Sequence, residues 1–139
     1  MSVNAEIEAY IAEQPAPKAA DMASLHARIL ALAPGCRLWF LDGRNDEGKI
    51  VSNPNIGYGE QIIPAAGGKR REFYRIGISA NTTGISIYVI GIEDKAYLAE
   101  AFGGRLGKAS ITGYCIKFKA LKDLDPAVLD ELLRFGLER

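Results

Sequence analysis

At Pro34-Gly35 the spacing of apolar residues switches from three-and-four to two, and the architecture follows from that switch. Upstream, Ile7, Tyr10 and Ile11 share one side of a helix predicted over residues 5–13, with Asn4 as its cap. Gln14-Pro15-Ala16-Pro17 interrupts it, because a proline ring removes a donor and clashes inside a helix. A second helix is expected from about 18 to 33, with Met22, Leu25, Ile29 and Leu32 as its apolar stripe. Pro34-Gly35 ends it.

Downstream the pattern is that of strands. Cys36, Leu38 and Phe40 alternate with Arg37, Trp39 and Leu41, so the two faces of this strand differ. Residues 42–48 form a charged turn, and Lys49-Ile50-Val51 reads as a second short strand. Residues 52–59 hold so many turn formers (Asn53, Pro54, Asn55, Gly57, Gly59) that no regular element is expected there. Gln61-Ile62-Ile63 is a further strand, closed by Ala66-Gly67-Gly68. A hairpin then pairs residues 72–80 with 85–92 across Asn81-Thr82-Thr83-Gly84. Its first arm places Tyr74, Ile76, Ile78 and Ala80 on one side.

Asp94 is expected to cap a third helix that runs to Phe102 and stops at Gly103-Gly104. Residues 111–120 read as the last strand. Asp125 as cap and Pro126 at the first helical position announce a final helix that buries Leu129, Leu132 and Leu133. Strands clustered between helical ends imply an α+β fold, a mainly antiparallel sheet of about five to six strands with helices packed on one face. At 139 residues the chain fits one domain, 1–139.

Composition excludes several chemistries. The 17 Lys+Arg are balanced by 17 Asp+Glu, so the basic footprint of a nucleic-acid binder is missing. His26 is the one histidine, which rules out any site built on two. Cys36 and Cys115 stand in no CxxC context, and their expected role is that of reduced thiols buried as small hydrophobes. The start of the chain has no basic segment followed by an apolar one, and no apolar run reaches the ~18 residues of a membrane span, so a cytoplasmic protein is expected. Gly57-Tyr58-Gly59 lacks the third glycine of a dinucleotide fingerprint. In Gly103–Ser110 the glycines are too close for a phosphate loop, and Ala109 replaces its hydroxyl residue.

No catalytic set emerges. The basic residues matter by position: Arg37, Arg75, Lys117 and Lys119 fall on the less apolar strand faces, where alternation brings them near Trp39, Tyr88 and Ser86. Such a face suits an acidic protein or a small anion, and a half-exposed tryptophan is enriched at interfaces. The expected activity is therefore non-enzymatic binding. An alternative is a small-molecule protein or enzyme with residues 53–59 as a pocket rim, where Tyr58 would meet the ligand and Arg75 or Lys108 would neutralise it.

Several segments in order resemble the YdhG-like domain of unknown function. They are the Glu8-Ala9-Tyr10-Ile11-Ala12 helix with its proline break, Leu32-Ala33-Pro34, Ile56-Gly57-Tyr58-Gly59 and Gly84-Ile85-Ser86-Ile87-Tyr88. Gly107-Lys108-Ala109-Ser110-Ile111 and Ile116-Lys117-Phe118 before Asp125-Pro126 complete the set, which spans nearly the whole chain. The resemblance implies a small bacterial α+β domain. Some of its relatives are described as frataxin-like iron chaperones of iron–sulfur cluster assembly. Iron is thus implied by the resemblance alone; no cofactor is evident from the residues.

Overall fold

The computed structural model describes residues 2–138. Four helices, α1 (Val3–Ala12), α2 (Ala16–Leu32), α3 (Tyr97–Phe102) and α4 (Pro126–Glu138), accompany eight strands. The strands are β1 (Leu38–Leu41), β2 (Asn55–Tyr58), β3 (Gln61–Pro64), β4 (Arg70–Phe73), β5 (Ile76–Ala80), β6 (Ile85–Val89), β7 (Ser110–Thr112) and β8 (Cys115–Phe118). Six form one antiparallel sheet in the order β1-β2-β5-β6-β8-β7, and β3 pairs with β4 as a separate ribbon. The α+β class and the antiparallel sheet are those expected from the sequence.

Register explains the core. Tyr58, Ile76 and Val89 lie side by side across β2, β5 and β6, and Ile56, Ile78, Ile87 and Ile116 form the next row. All seven are fully buried against the helices. From α1 come Ile7 and Tyr10, from α2 Met22, Leu25 and Ile29, and from α4 Leu129, Leu132 and Leu133. Gly136 lets α4 approach closely, since a Cβ there would start 2.3 Å from Ile76 Cδ1. The Tyr10 hydroxyl donates to Pro54 O at 3.1 Å and accepts from Ala80 N at 2.8 Å, which ties α1 to the sheet.

Local boundaries moved where tertiary contacts or caps outweighed pattern. Ser2, not Asn4, caps α1, accepting from Ala5 N. Pro15 stands just outside α2 and Pro17 within its first turn, where a missing N–H costs nothing, so α2 starts at Ala16. Lys49-Ile50-Val51 is not a strand: Ile50 makes one bridge to Arg44 and is 65% exposed. Asp94 serves as a turn acceptor for Ala96 N, and α3 begins only at Tyr97. Residues 111–120 split into a β7–β8 hairpin at Gly113-Tyr114. Asp125 does cap α4, its Oδ1 accepting from Ala127 N and Val128 N.

Two corrections reshape the outer face of the sheet. The segment expected to be irregular contains β2, a strand inside the sheet, paired on both sides. The arm expected over 72–80 breaks at Tyr74-Arg75 into β4 and β5. At that break Tyr74 leaves the side of Ile76 and lies on the opposite face, over Gly57 and Gly77. A Cβ added at either glycine would come within 2.2 Å (Gly57) or 2.6 Å (Gly77) of its ring. Two adjacent glycines on paired strands make the trench that this ring fills.

Candidate functional site

The helices leave the other sheet face without a helical layer, and the residues on it follow from strand parity. One row runs Trp39, Gly57, Gly77, Tyr88, Cys115 and Thr112; Ser79, Ser86, Lys117 and Ser110 belong to the next. The face is not wholly open, because Tyr74 roofs the glycines and is only 4% exposed. Burial pushes its phenol well above the ordinary tyrosine range, with neighbouring Tyr88 adding to the effect.

At the β1 end the rings form a ladder. The Arg37 guanidinium sits 3.9 Å above the Trp39 ring, and Arg71 covers Phe73 at 4.7 Å. Trp39 meets Phe73 edge-on at 6.0 Å between centroids, and Phe73 stacks on Tyr74 at 4.1 Å. The indole N–H donates to Gly59 O at 2.8 Å. Arg37 donates to Glu72 at 2.5 Å and to Glu60 at 3.3 Å, which fixes its plane over the indole. Gly59 itself has φ +81°, a left-handed turn between β2 and β3 that a side chain would strain. The Arg75 stem runs alongside, with Cδ 3.3 Å from where a Gly59 Cβ would stand. Trp39 and Arg75 therefore meet at the same glycine, both half-buried.

The remaining expected residues lie elsewhere. Lys117 is on β8, four strands from Trp39, or about 19 Å at ~4.8 Å per strand. Tyr88 stands between the two ends, half-buried on β6. Tyr58 belongs to neither: it is fully buried on the helix-covered face, its hydroxyl 2.6 Å from His26 Nδ1 on α2. Residues 56–58 are likewise buried strand; of residues 53–59 it is Asn55 that lines a surface hollow, with Glu6, Asp42 and Arg44, and Tyr58 does not reach it. Turn-former composition misled there, because it did not reveal that β2 lies inside the sheet.

The His26–Tyr58 pair was not anticipated. Burial raises the Tyr58 phenol far above the ordinary range, with Cys36 contributing, so it stays protonated and donates to an unprotonated Nδ1. Burial also lowers the His26 pKa from 6.5, against the opposing charge of Glu8. Both thiols are pushed up, chiefly by burial, Cys36 near Gly59 and Cys115 near Lys117 and Ser86. Sequence carried one usable signal for the ladder, namely Phe73 following the Lys69-Arg70-Arg71 run.

Among the described residues no group of three or more His, Cys, Asp or Glu is placed to hold a metal. No described helix is long and apolar enough to cross a membrane. The fold and this face define an α+β protein with an aromatic–arginine surface at one edge of its sheet. No family model, no curated protein and no solved structure matches the chain.

Proposed function

We propose that this protein is a non-enzymatic binding or adaptor module that holds a protein partner on the Trp39 end of its outer sheet face. The carrying observation is the ladder of Arg37, Trp39, Phe73 and Arg71, in which each guanidinium covers a ring. Arginine and tryptophan supply much of the affinity of interfaces when a partner excludes water from them. Here Glu60 and Glu72 already restrain Arg37, so less side-chain freedom is lost on docking. Ile62, 54% exposed on β3, extends the surface with apolar area beside Glu60 and Glu72.

The resemblance to YdhG-like domains would make that partner a component of iron–sulfur cluster assembly. The scattered donor set does not fit a preformed iron site, so the proposal rests on partner capture and routes nothing through iron.

The test is capture from bacterial lysate with wild type and a Trp39→Ala/Arg75→Glu variant, followed by calorimetric titration of the purified partner. Loss of a central tryptophan contact costs about 2 kcal/mol or more, roughly thirtyfold in affinity. Equal affinity for wild type and variant dismisses the surface.

A further inference from the structure

The opposite end of the same face carries a different chemistry. An open hollow of about 430 Å³ lies where β7 and β8 meet the β5–β6 turn, lined by Thr83, Lys108, Ser110, Lys117, Phe118 and Lys119, with Ala109. Lys108, Lys117 and Lys119 are all exposed, and none forms an ion pair among the described residues. No carboxylate lines this hollow. Four other surface hollows each hold at least one: Glu6 and Asp42, Asp130, Asp21, or Glu60 and Glu72. In a chain of zero net charge, three uncompensated ammonium groups around one concavity are a local excess that an anion relieves.

We propose that this hollow binds a small organic phosphate. Three lysines act as point charges, which suits a phosphate monoester carrying about two negative charges and three acceptor oxygens better than a single carboxylate. The Ser110 hydroxyl makes no hydrogen bond within the described residues and lines the same wall, as a donor for one of those oxygens. At about 430 Å³ the hollow has room for an organic group beside a phosphate. Ala109, half-buried, is the apolar part of the wall open to the organic group, since Phe118 is itself buried in the core beneath the hollow. The side chains do the recognising. The backbone cradle of a phosphate loop is not formed: Lys108 N donates to Asp123 O and Ala109 N to Gly107 O.

The experiment is calorimetric titration with inorganic phosphate, pyrophosphate, adenosine 5′-monophosphate and hexaglutamate. Wild type is compared with Lys117→Ala/Lys119→Ala and with the charge-retaining Lys117→Arg/Lys119→Arg. Their unfolding midpoints verify that both variants are folded. Expected are saturable binding of the monophosphate ester, tighter than inorganic phosphate, and a loss of about tenfold or more in the alanine variant. The arginine variant restores most of it, and binding weakens with added salt. No saturation by about 10 mM ester, unchanged affinity in the alanine variant, or tighter binding of hexaglutamate than of either phosphate overturns the proposal.

Discussion

Gly77→Ala tests the trench beneath Tyr74. A methyl at residue 77 would start 2.6 Å from Tyr74 Cε1 and 2.7 Å from both Cζ and the hydroxyl oxygen. Ordinary carbon contacts lie at about 3.5–4.0 Å, so the ring must lift by about 1 Å. Lifting disturbs the 4.1 Å stack on Phe73 and, through it, the edge contact with Trp39. Overpacking of this kind costs about 1–3 kcal/mol. Alanine also gains about 0.5–1 kcal/mol over glycine inside a strand, too little to reverse the sign. With Tyr74→Ala in place, the three atoms nearest the added methyl are gone and the strand gain remains. The same methyl is therefore destabilising with the ring present and stabilising without it. Urea unfolding of the wild type, both single variants and the double variant, followed by circular dichroism and Trp39 emission, measures the reversal. Equal effects of Gly77→Ala in both backgrounds would refute the packing of Tyr74 over these glycines.

Three further outcomes are expected. Tyr10→Phe removes the group that accepts from Ala80 N and donates to Pro54 O, so chemical denaturation should show a loss of about 1–3 kcal/mol. His26 protonates less readily folded than unfolded, so the unfolded chain gains the proton first as pH falls. Stability should be full above pH 6.5 and decline as pH drops through 6.5 toward the lower native value, and a His26→Gln variant should lack that part of the slope between about pH 7.5 and 5.5. Cys36 and Cys115, both raised mainly by burial, should react with iodoacetamide at pH 7.5 more slowly than a free cysteine, and fast labelling of either would contradict its placement.

The helices were legible because their signals are local. Ile7 and Tyr10, then Met22, Leu25 and Ile29, are buried at the spacing that named them, and Asp125-Pro126 marks the start of α4 unaided. The sheet was legible as a class but not strand by strand. Asn55-Ile56-Gly57-Tyr58 looks like a turn by composition; it is a strand because β1 and β5 pair with it on both sides, and its glycine makes room for the Tyr74 ring from seventeen residues onward. Ile50 and Val51 have strand propensity yet remain exposed, since no partner strand reaches beyond the bridge to Arg44.

The site divides similarly. Period-two alternation brought Arg37 and Trp39 onto one face, and their stacking follows. It could not reveal that Lys117 is four strands away, because strand order is set by long-range pairing that local spacing does not encode. Tyr58 was misplaced for the opposite reason: in a mixed polar segment neither parity is marked, and burial beneath α2 decided it.

The docking of α1 has a consequence for one border of the sheet. β1 is a terminal strand of the sheet, and its Leu38-Trp39-Phe40-Leu41 sequence is apolar on both sides. Tyr10 packs on Phe40 with ring centroids 5.5 Å apart and anchors the helix at the same time. Without that cover the strand would present an unguarded, sticky border to identical neighbours. Truncation of the ten-residue α1 is therefore expected to bare the Phe40 side of this outermost strand and to promote self-association, which light scattering would detect.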